Sequence, residues 1–181
     1  MWNESFFSAP QLKRDPLGGP ETVVSRVRET ISFLEIVAGT WGTVIGLIFV
    51  THVSGIAILF GLFVIAVFSF FGVAGILLYR QHALGYPFSV VTQLLQIPVF
   101  LTPWGGYYCI GGAGLRVWVD AEGSFGWYVH LGSQLHISWA AEPYVSSIGL
   151  NLVPVVLLVL LVASRRATKL PDAPASVERA A

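Results

Sequence analysis

Residues 36–79 read IVAGTWGTVIGLIFVTHVSGIAILFGLFVIAVFSFFGVAGILLY and contain no charged side chain. A helix needs roughly 20 apolar residues to cross the hydrocarbon core of a bilayer, so these 44 residues are enough for two crossings. The polar residues 51–55, THVSG, interrupt the run near its middle. We therefore predict two transmembrane helices, span one over about 33–51 and span two over about 55–79, joined as a tight hairpin.

The composition of the whole chain favours the same class of protein. Of the 181 residues, 55% are hydrophobic and 11% are charged, and the mean hydropathy is +0.73. Soluble domains carry about 25% charged residues, so the composition argues against a soluble or disordered chain and for an integral membrane protein. A net charge of zero without a basic stripe gives no support for nucleic-acid binding. The single cysteine, Cys109, excludes an intrachain disulfide.

Two further apolar segments are candidates for spans. Residues 88 to about 109 hold two prolines and no charge, and residues 143–164 form an apolar run that Arg165 closes. With four spans, nine of the ten basic residues fall on one side of the membrane, as the positive-inside rule favours. If residues 88–109 lay along the inner surface instead, six of the ten would be inside. We therefore predict an all-α integral membrane protein with four transmembrane helices and both termini cytoplasmic, in a prokaryotic cytoplasmic (inner) membrane.

The segments outside the spans differ in character. The pattern of apolar residues over 20–34 predicts an amphipathic helix beside the membrane. Between spans three and four, LRVWVD, GWYVHL and QLHISWA predict short strands, and a turn at 132–134 would pair the last two as a hairpin with His130 opposite His136. The predicted organisation is a flexible segment 1–19, the amphipathic helix 20–34, spans one to three within 33–114, an extracytoplasmic β-hairpin-like loop 115–142, span four over 143–164 and a disordered cytoplasmic tail 165–181.

Small residues recur at four-residue spacing in the first two spans: Ala38, Gly42 and Gly46 in span one, then Ala57 and Gly61 in span two. Small side chains let two helix backbones approach closely, which is how helices associate in lipid. This spacing predicts packing within the hairpin. Contact with a second copy or with another subunit is the alternative.

Span three carries a polar stripe formed by Ser89, Thr92, Gln93 and Gln96, which share one helix face. Polar side chains avoid lipid, so this face is expected to meet other helices. Thr40 and Thr43 of span one lie at similar depths, so we expect hydrogen bonds between spans one and three. A hydrated path or a headgroup site is the alternative interpretation.

Three more polar residues lie within or at the ends of the spans. Glu35 and Arg80 bracket the hairpin at one membrane level, which predicts an ion pair across its open end. A proton relay through Glu35 would need a second buried titratable group, which the spans lack. Asn151 is expected to hydrogen-bond to backbone carbonyls that Pro154 leaves free in span four.

The four histidines, His52, His82, His130 and His136, carry weaker signals. His52 and His82 lie a full bilayer apart, so they cannot ligate one haem together, although either is chemically able to be a single axial ligand. His130 and His136 form a possible divalent-metal pair outside the membrane. Solvated polar positions on a small sheet are the preferred interpretation of His130 and His136, and the cofactor is left unassigned.

No enzyme motif is present: a nucleophile elbow, a phosphate loop, HExxH and paired intramembrane carboxylates are all absent. We therefore expect a non-enzymatic accessory, scaffold or assembly subunit of a membrane complex, with lipids and other membrane subunits or a second copy as partners. A small transporter or channel protomer with its path along the polar stripe is the first alternative. A single-histidine pigment- or haem-binding subunit is the second.

Overall fold

The computed structural model describes residues 20–139 and 146–167, and the predictions for 1–19 and for most of the tail lie outside this part. Within it, three helices are followed by six antiparallel strands and a fourth helix. The elements in order are α1 (Pro20–His52), α2 (Ala57–Tyr79), α3 (Gly85–Gln96), β1 (Pro98–Thr102), β2 (Gly105–Ile110), β3 (Ala113–Asp120), β4 (Phe125–Leu131), β5 (Gln134–Trp139), β6 (Ser147–Asn151) and α4 (Leu152–Ala167).

The predicted helical hairpin is present as α1 and α2. Its turn passes through Gly55, whose φ of +63° lies in the left-handed region that glycine adopts at no steric cost. The two helices cross where Gly39 faces Gly72: a β-carbon on Gly39 would overlap the Gly72 backbone. Glycine at this point is what lets the two backbones touch.

Three of the five predicted small-residue positions also lie in this interface. A side chain at Gly42 would overlap the Phe68 ring, one at Gly46 would meet Ile65, and one at Gly61 would meet Val50. Ala38 is buried as well, but it faces Gly112 of the sheet. The sequence pattern therefore located much of the hairpin interface while missing its closest point, Gly39 against Gly72.

The all-α prediction is wrong, and so is the prediction of a four-helix membrane protein. The chain contains a six-stranded antiparallel sheet with the order β4-β3-β6-β1-β2-β5. The proposed third span divides into α3, β1 and most of β2, and the proposed fourth into β6 and α4. Helix α3 has 12 residues and α4 has 16, and both are shorter than the roughly 20 that cross a hydrocarbon core.

Prolines explain where these two segments change conformation. Pro98 has no N–H with which to continue the hydrogen bonds of α3, so the helix stops at Gln96 and a strand begins. Pro154 lies in the first turn of α4, where a missing N–H costs nothing. A hydropathy count registers both segments as apolar runs and does not detect this change.

The strands expected in the outer loop form as β3, β4 and β5, but their predicted pairing is wrong. Strand β4 pairs with β3 and strand β5 with β2, so His136 lies opposite Tyr108 and not His130. Ile110 pairs with Gln134 and Ala113 pairs with Leu131, so the two ladders continue in register as one long hairpin. This hairpin bends at Gly111–Gly112 on one side and Gly132–Ser133 on the other.

The core is divided between the two halves of the α1–α2 hairpin. Near its open end, the end away from Gly55, α3 and α4 complete a cluster around Ile31, Leu78 and Leu161. Toward the turn, strands β2 and β5 pack on α2 through Cys109 and Leu135. The sheet thus lies beside the half of the hairpin that ends at the turn.

The contact between Gly39 and Gly72 generates an asymmetric prediction. Gly39→Ala should destabilise the hairpin by about 1–3 kcal/mol, because the new methyl group meets backbone that cannot move aside. Gly72→Ala adds the same methyl group on the other helix, where its nearest neighbour would be 3.8 Å away in ordinary contact. Thermal unfolding of both variants in mild detergent measures the difference, and equal stability would contradict the described crossing point.

Candidate functional site

The most unusual polar residue in the described chain is Glu35 of α1, which is only 3% exposed although it carries a carboxyl group. Its carboxylate accepts three hydrogen bonds from α3. Ser89 Oγ donates to Oε2 at 2.6 Å, Thr92 Oγ1 donates to Oε1 at 2.7 Å, and Gln93 Nε2 donates to Oε1 at 2.8 Å. Burying a charged or polar group is costly unless such partners are present, so these contacts make the buried position tenable.

Local structure explains how α3 presents these donors together. Ser89, Thr92, Gln93 and Gln96 recur at helical spacing, and all four are buried on the face that meets α1. The amphipathic pattern of α1 places Glu35 on its inner side, along with Ser32 and Ala38. The predicted polar stripe thus exists, and its partner is a carboxylate.

Gln96 extends this network from the helices to the sheet. Its Nε2 donates to the Thr92 carbonyl at 3.1 Å, and its Oε1 accepts the Gly111 N–H at 2.6 Å. Gly111 belongs to the bend between β2 and β3. One side chain therefore connects the stripe with the point at which the long β-hairpin turns.

The space beside Glu35 is small. A cavity of about 10 Å³, the space of roughly one water molecule, lies between α1, α3, α4 and the bend of the sheet. Apart from Glu35, its lining contains no titratable side chain. The geometry suits a structural hydrogen-bond network and offers no second group for a proton relay.

The predicted ion pair between Glu35 and Arg80 is absent from the described residues. Arg80 is exposed at the end of α2, and the Glu35 carboxylate accepts from hydroxyl and amide donors instead. The expected contacts of the stripe with Thr40 and Thr43 do not form either. Thr40 is exposed, and Thr43 Oγ1 lies 3.2 Å from Ser69 Oγ of α2.

Asn151 has a different role from the one predicted. It ends β6, is fully buried, and accepts the Leu115 N–H through Oδ1 at 3.0 Å. It therefore joins β6 to β3 and does not bond to carbonyls near Pro154. Its Nδ2 is buried with no hydrogen-bond partner in the described part of the chain.

Arg116 is a site residue that the sequence reasoning missed. Its guanidinium carbon lies 4.5 Å from the ring centre of Tyr108 and 5.2 Å from that of Tyr128. Tyr128 belongs to the neighbouring strand, but Tyr108 lies on β2, three strands away in the sheet order. The sheet is therefore curled, and its polar side chains meet on the inside of the curl, where Arg116 forms cation–π contacts.

His52 and His82 lie at opposite ends of the hairpin, whereas His130 and His136 both lie on the face of the sheet that carries Arg116. His52 Nδ1 donates to the Ile48 carbonyl at 2.8 Å, and His82 Nδ1 accepts the Leu84 N–H at 3.2 Å. His136 stacks on Tyr108 with ring centres 4.9 Å apart. Burial, and then the neighbouring Arg116 charge, lowers the pKa of His130. Among residues 20–139 and 146–167, no three or more His, Cys, Asp or Glu side chains are grouped as a metal site would require.

Comparisons with known proteins add no relationship to this geometry. No family model matches the chain, and neither curated proteins nor solved structures give a match.

The Glu35 network generates a second prediction. Glu35→Leu should lower stability by about 1–3 kcal/mol for each donor left without an acceptor, and Ser89 and Gln93 lose theirs. Glu35→Gln keeps the size and one carbonyl oxygen, so the loss should be smaller. Detergent unfolding of the two variants measures this order, and a Leu variant as stable as the Gln variant would show that the network contributes little.

Proposed function

We propose that this chain is a non-enzymatic membrane protein, anchored by the α1–α2 hairpin, that acts as an accessory, scaffold or assembly subunit of a membrane complex. The observation that carries the proposal is the use of the polar stripe: its four side chains are buried and hydrogen-bonded to Glu35, Thr92 and Gly111. Because these side chains are already hydrogen-bonded within the chain, the polar stripe serves to hold α3 against α1 and the bend of the sheet. Membrane lipids and other membrane subunits, or a second copy, are the proposed partners.

The surface of the hairpin supports its placement in a membrane. Helices α1 and α2 are long and apolar enough to cross one. Large apolar side chains also cover their outer surfaces, with Ile48 56% exposed, Leu59 64% and Leu62 51%. A continuous apolar surface of this kind is unfavourable in water and favourable in hydrocarbon. Two crossings by α1 and α2 replace the four that the sequence suggested.

The charges support an orientation of the hairpin. Its open end carries Arg26, Arg28 and Arg80, and α4 brings Arg165 to the same end, 4.2 Å from the Tyr86 ring centre. Basic residues favour the cytoplasmic side of a membrane. We therefore propose that the open end of the hairpin and both chain termini are cytoplasmic, in a prokaryotic cytoplasmic membrane.

The alternative functions receive less support. A transporter path along α3 needs hydrated space, and the cavity next to the stripe has room for roughly one water molecule. A haem or pigment ligand needs an accessible histidine facing a cofactor-sized pocket. The cavity beside Glu35 is lined by no histidine, and neither is an apolar groove on the sheet between β3, β4 and β6.

Labelling of single cysteines tests the two-crossing arrangement. Ser54→Cys, at the turn, and Ala83→Cys, between α2 and α3, are both exposed positions. A membrane-impermeant maleimide should label them from opposite sides of oriented vesicles. Leu62→Cys, on the apolar surface of α2, should label only after detergent is added. Labelling of Ser54→Cys and Ala83→Cys from the same side would overturn the two-crossing arrangement.

A double substitution separates the scaffold from the transporter. Replacing Gln93 and Gln96 by Leu removes the bonds to Glu35 and Gly111, so the bundle should loosen by about 1–3 kcal/mol. Any cellular phenotype should then follow protein abundance. Thermal unfolding measured beside that phenotype is the readout. Normal stability and abundance with lost function would favour the transporter instead.

A further inference from the structure

One face of the sheet is apolar across three neighbouring strands. Side chains alternate between faces along a strand, and residues paired across strands share a face. The pairs Val119–Phe125, Val119–Ile148 and Leu115–Val129 therefore lie on one face, opposite the one that carries Arg116. We define the outer sheet face by six of its exposed members, Val119, Phe125, Trp127, Val129, Leu131 and Ile148.

The exposure of these side chains is high for their size. Leu131 is 79% exposed, Ile148 73% and Phe125 68%. An apolar groove of about 350 Å³ runs along this face between β3, β4 and β6. A patch of this kind on a monomer marks a surface that contacts something other than water.

The opposite face of the same strands carries the polar groups. Arg116, Tyr128 and His130 project there, toward Tyr108 and His136 of the other half of the curled sheet. A sheet that faces water on one side normally carries polar residues on the exposed face and apolar ones inside. Here the distribution is inverted, as in β-structure that faces lipid.

The outer sheet face continues into the surface of the helical hairpin. On β2 and β5 the same face is covered by α2, through Cys109 and Leu135. At the bend, Ser133 Oγ donates to the Ala38 carbonyl at 2.8 Å, and Gly132 lies beside Trp41 of α1. Leu131 therefore lies next to the exposed apolar side of α1.

We propose that the outer sheet face contacts the acyl chains of the leaflet around the turn of the hairpin, which makes the sheet a second lipid-binding element. This inference rests on the membrane placement proposed above. The tip between β3 and β4, where Asp120 Oδ1 accepts the Glu122 and Ser124 N–H groups, reaches the headgroups. The edge strands β4 and β5 have backbone groups that need water, so the sheet lies at the boundary between headgroups and hydrocarbon.

A lipid surface fits this face better than a protein partner does. Protein interfaces combine an apolar centre with a polar rim and about one hydrogen bond per 100–200 Å². Of the six side chains that define the outer sheet face, only Trp127 can donate a hydrogen bond. Its indole ring suits the boundary between headgroups and hydrocarbon, where tryptophan is enriched.

Spin labels in the full-length chain test the inference. Nitroxides are attached singly at Val129→Cys and Ile148→Cys on the outer sheet face, at Leu62→Cys on α2 and at Glu122→Cys on the tip. Burial raises the pKa of the native Cys109 thiol to about 12, so this residue stays unlabelled near neutral pH. Collision rates with oxygen and with a water-soluble nickel complex are then compared in phosphatidylcholine–phosphatidylglycerol vesicles.

Each outcome has a distinct meaning. For labels at positions 129, 148 and 62, we expect the collision rate with oxygen to exceed the collision rate with the nickel complex severalfold. For the label at position 122, we expect the collision rate with the nickel complex to be the higher one. Nickel-accessible labels at Val129 and Ile148 beside a lipid-exposed Leu62 would overturn the inference and leave the hairpin anchor in place. Protection from both reagents at Val129 and Ile148 would also overturn it and indicate contact with a second copy of the chain. A nickel-accessible Leu62 would instead contradict the membrane placement itself.

Discussion

The buried carboxylate of Glu35 is the constraint around which the described elements are arranged. A carboxylate that is 3% exposed needs donors close by, and α3 supplies three of them within 2.8 Å. Because all three donors must point at the Glu35 carboxylate, α3 can have only one rotation about its axis relative to α1. Because Gln96 at the end of α3 accepts the Gly111 N–H, the same network also fixes the bend of the long β-hairpin. A polar requirement inside the helices thus determines where the sheet lies.

The prolines decide which apolar segments stay helical. Pro98 ends α3 after 12 residues, and Pro154 occurs where α4 begins, so each of the two later apolar runs is divided between a helix and β-strands. In the hairpin no proline interrupts α1 or α2, and Gly39 against Gly72 lets them approach closely. The hairpin and the two later runs are all apolar, but they form different structures because only the later runs contain prolines at the points where their conformation changes.

The two faces of the sheet differ in polarity. Its inner side holds Arg116 between Tyr108 and Tyr128, and its outer side is apolar, covered by α2 on one half and bare on the other. Together with the apolar hairpin, this arrangement supports the proposal of a membrane-anchored scaffold with a lipid-facing sheet. The buried side chains of Glu35 and of the polar stripe form internal contacts, and the described residues include no group of three or more His, Cys, Asp or Glu side chains that could hold a metal ion.

The sequence by itself determined the helical hairpin, its turn, the small residues between its helices, the polar stripe and three of the strands. These features are local, because they follow from charge, residue size and periodicity over fewer than about 20 residues. Only the tertiary structure decided that the stripe binds Glu35 and not Thr40 or Thr43, that β4 pairs with β3 and not β5, and that Arg116 meets Tyr108. Such contacts join residues distant along the chain. Hydropathy records how apolar each segment is, whereas strand order and hydrogen-bond partners depend on which segments pack together.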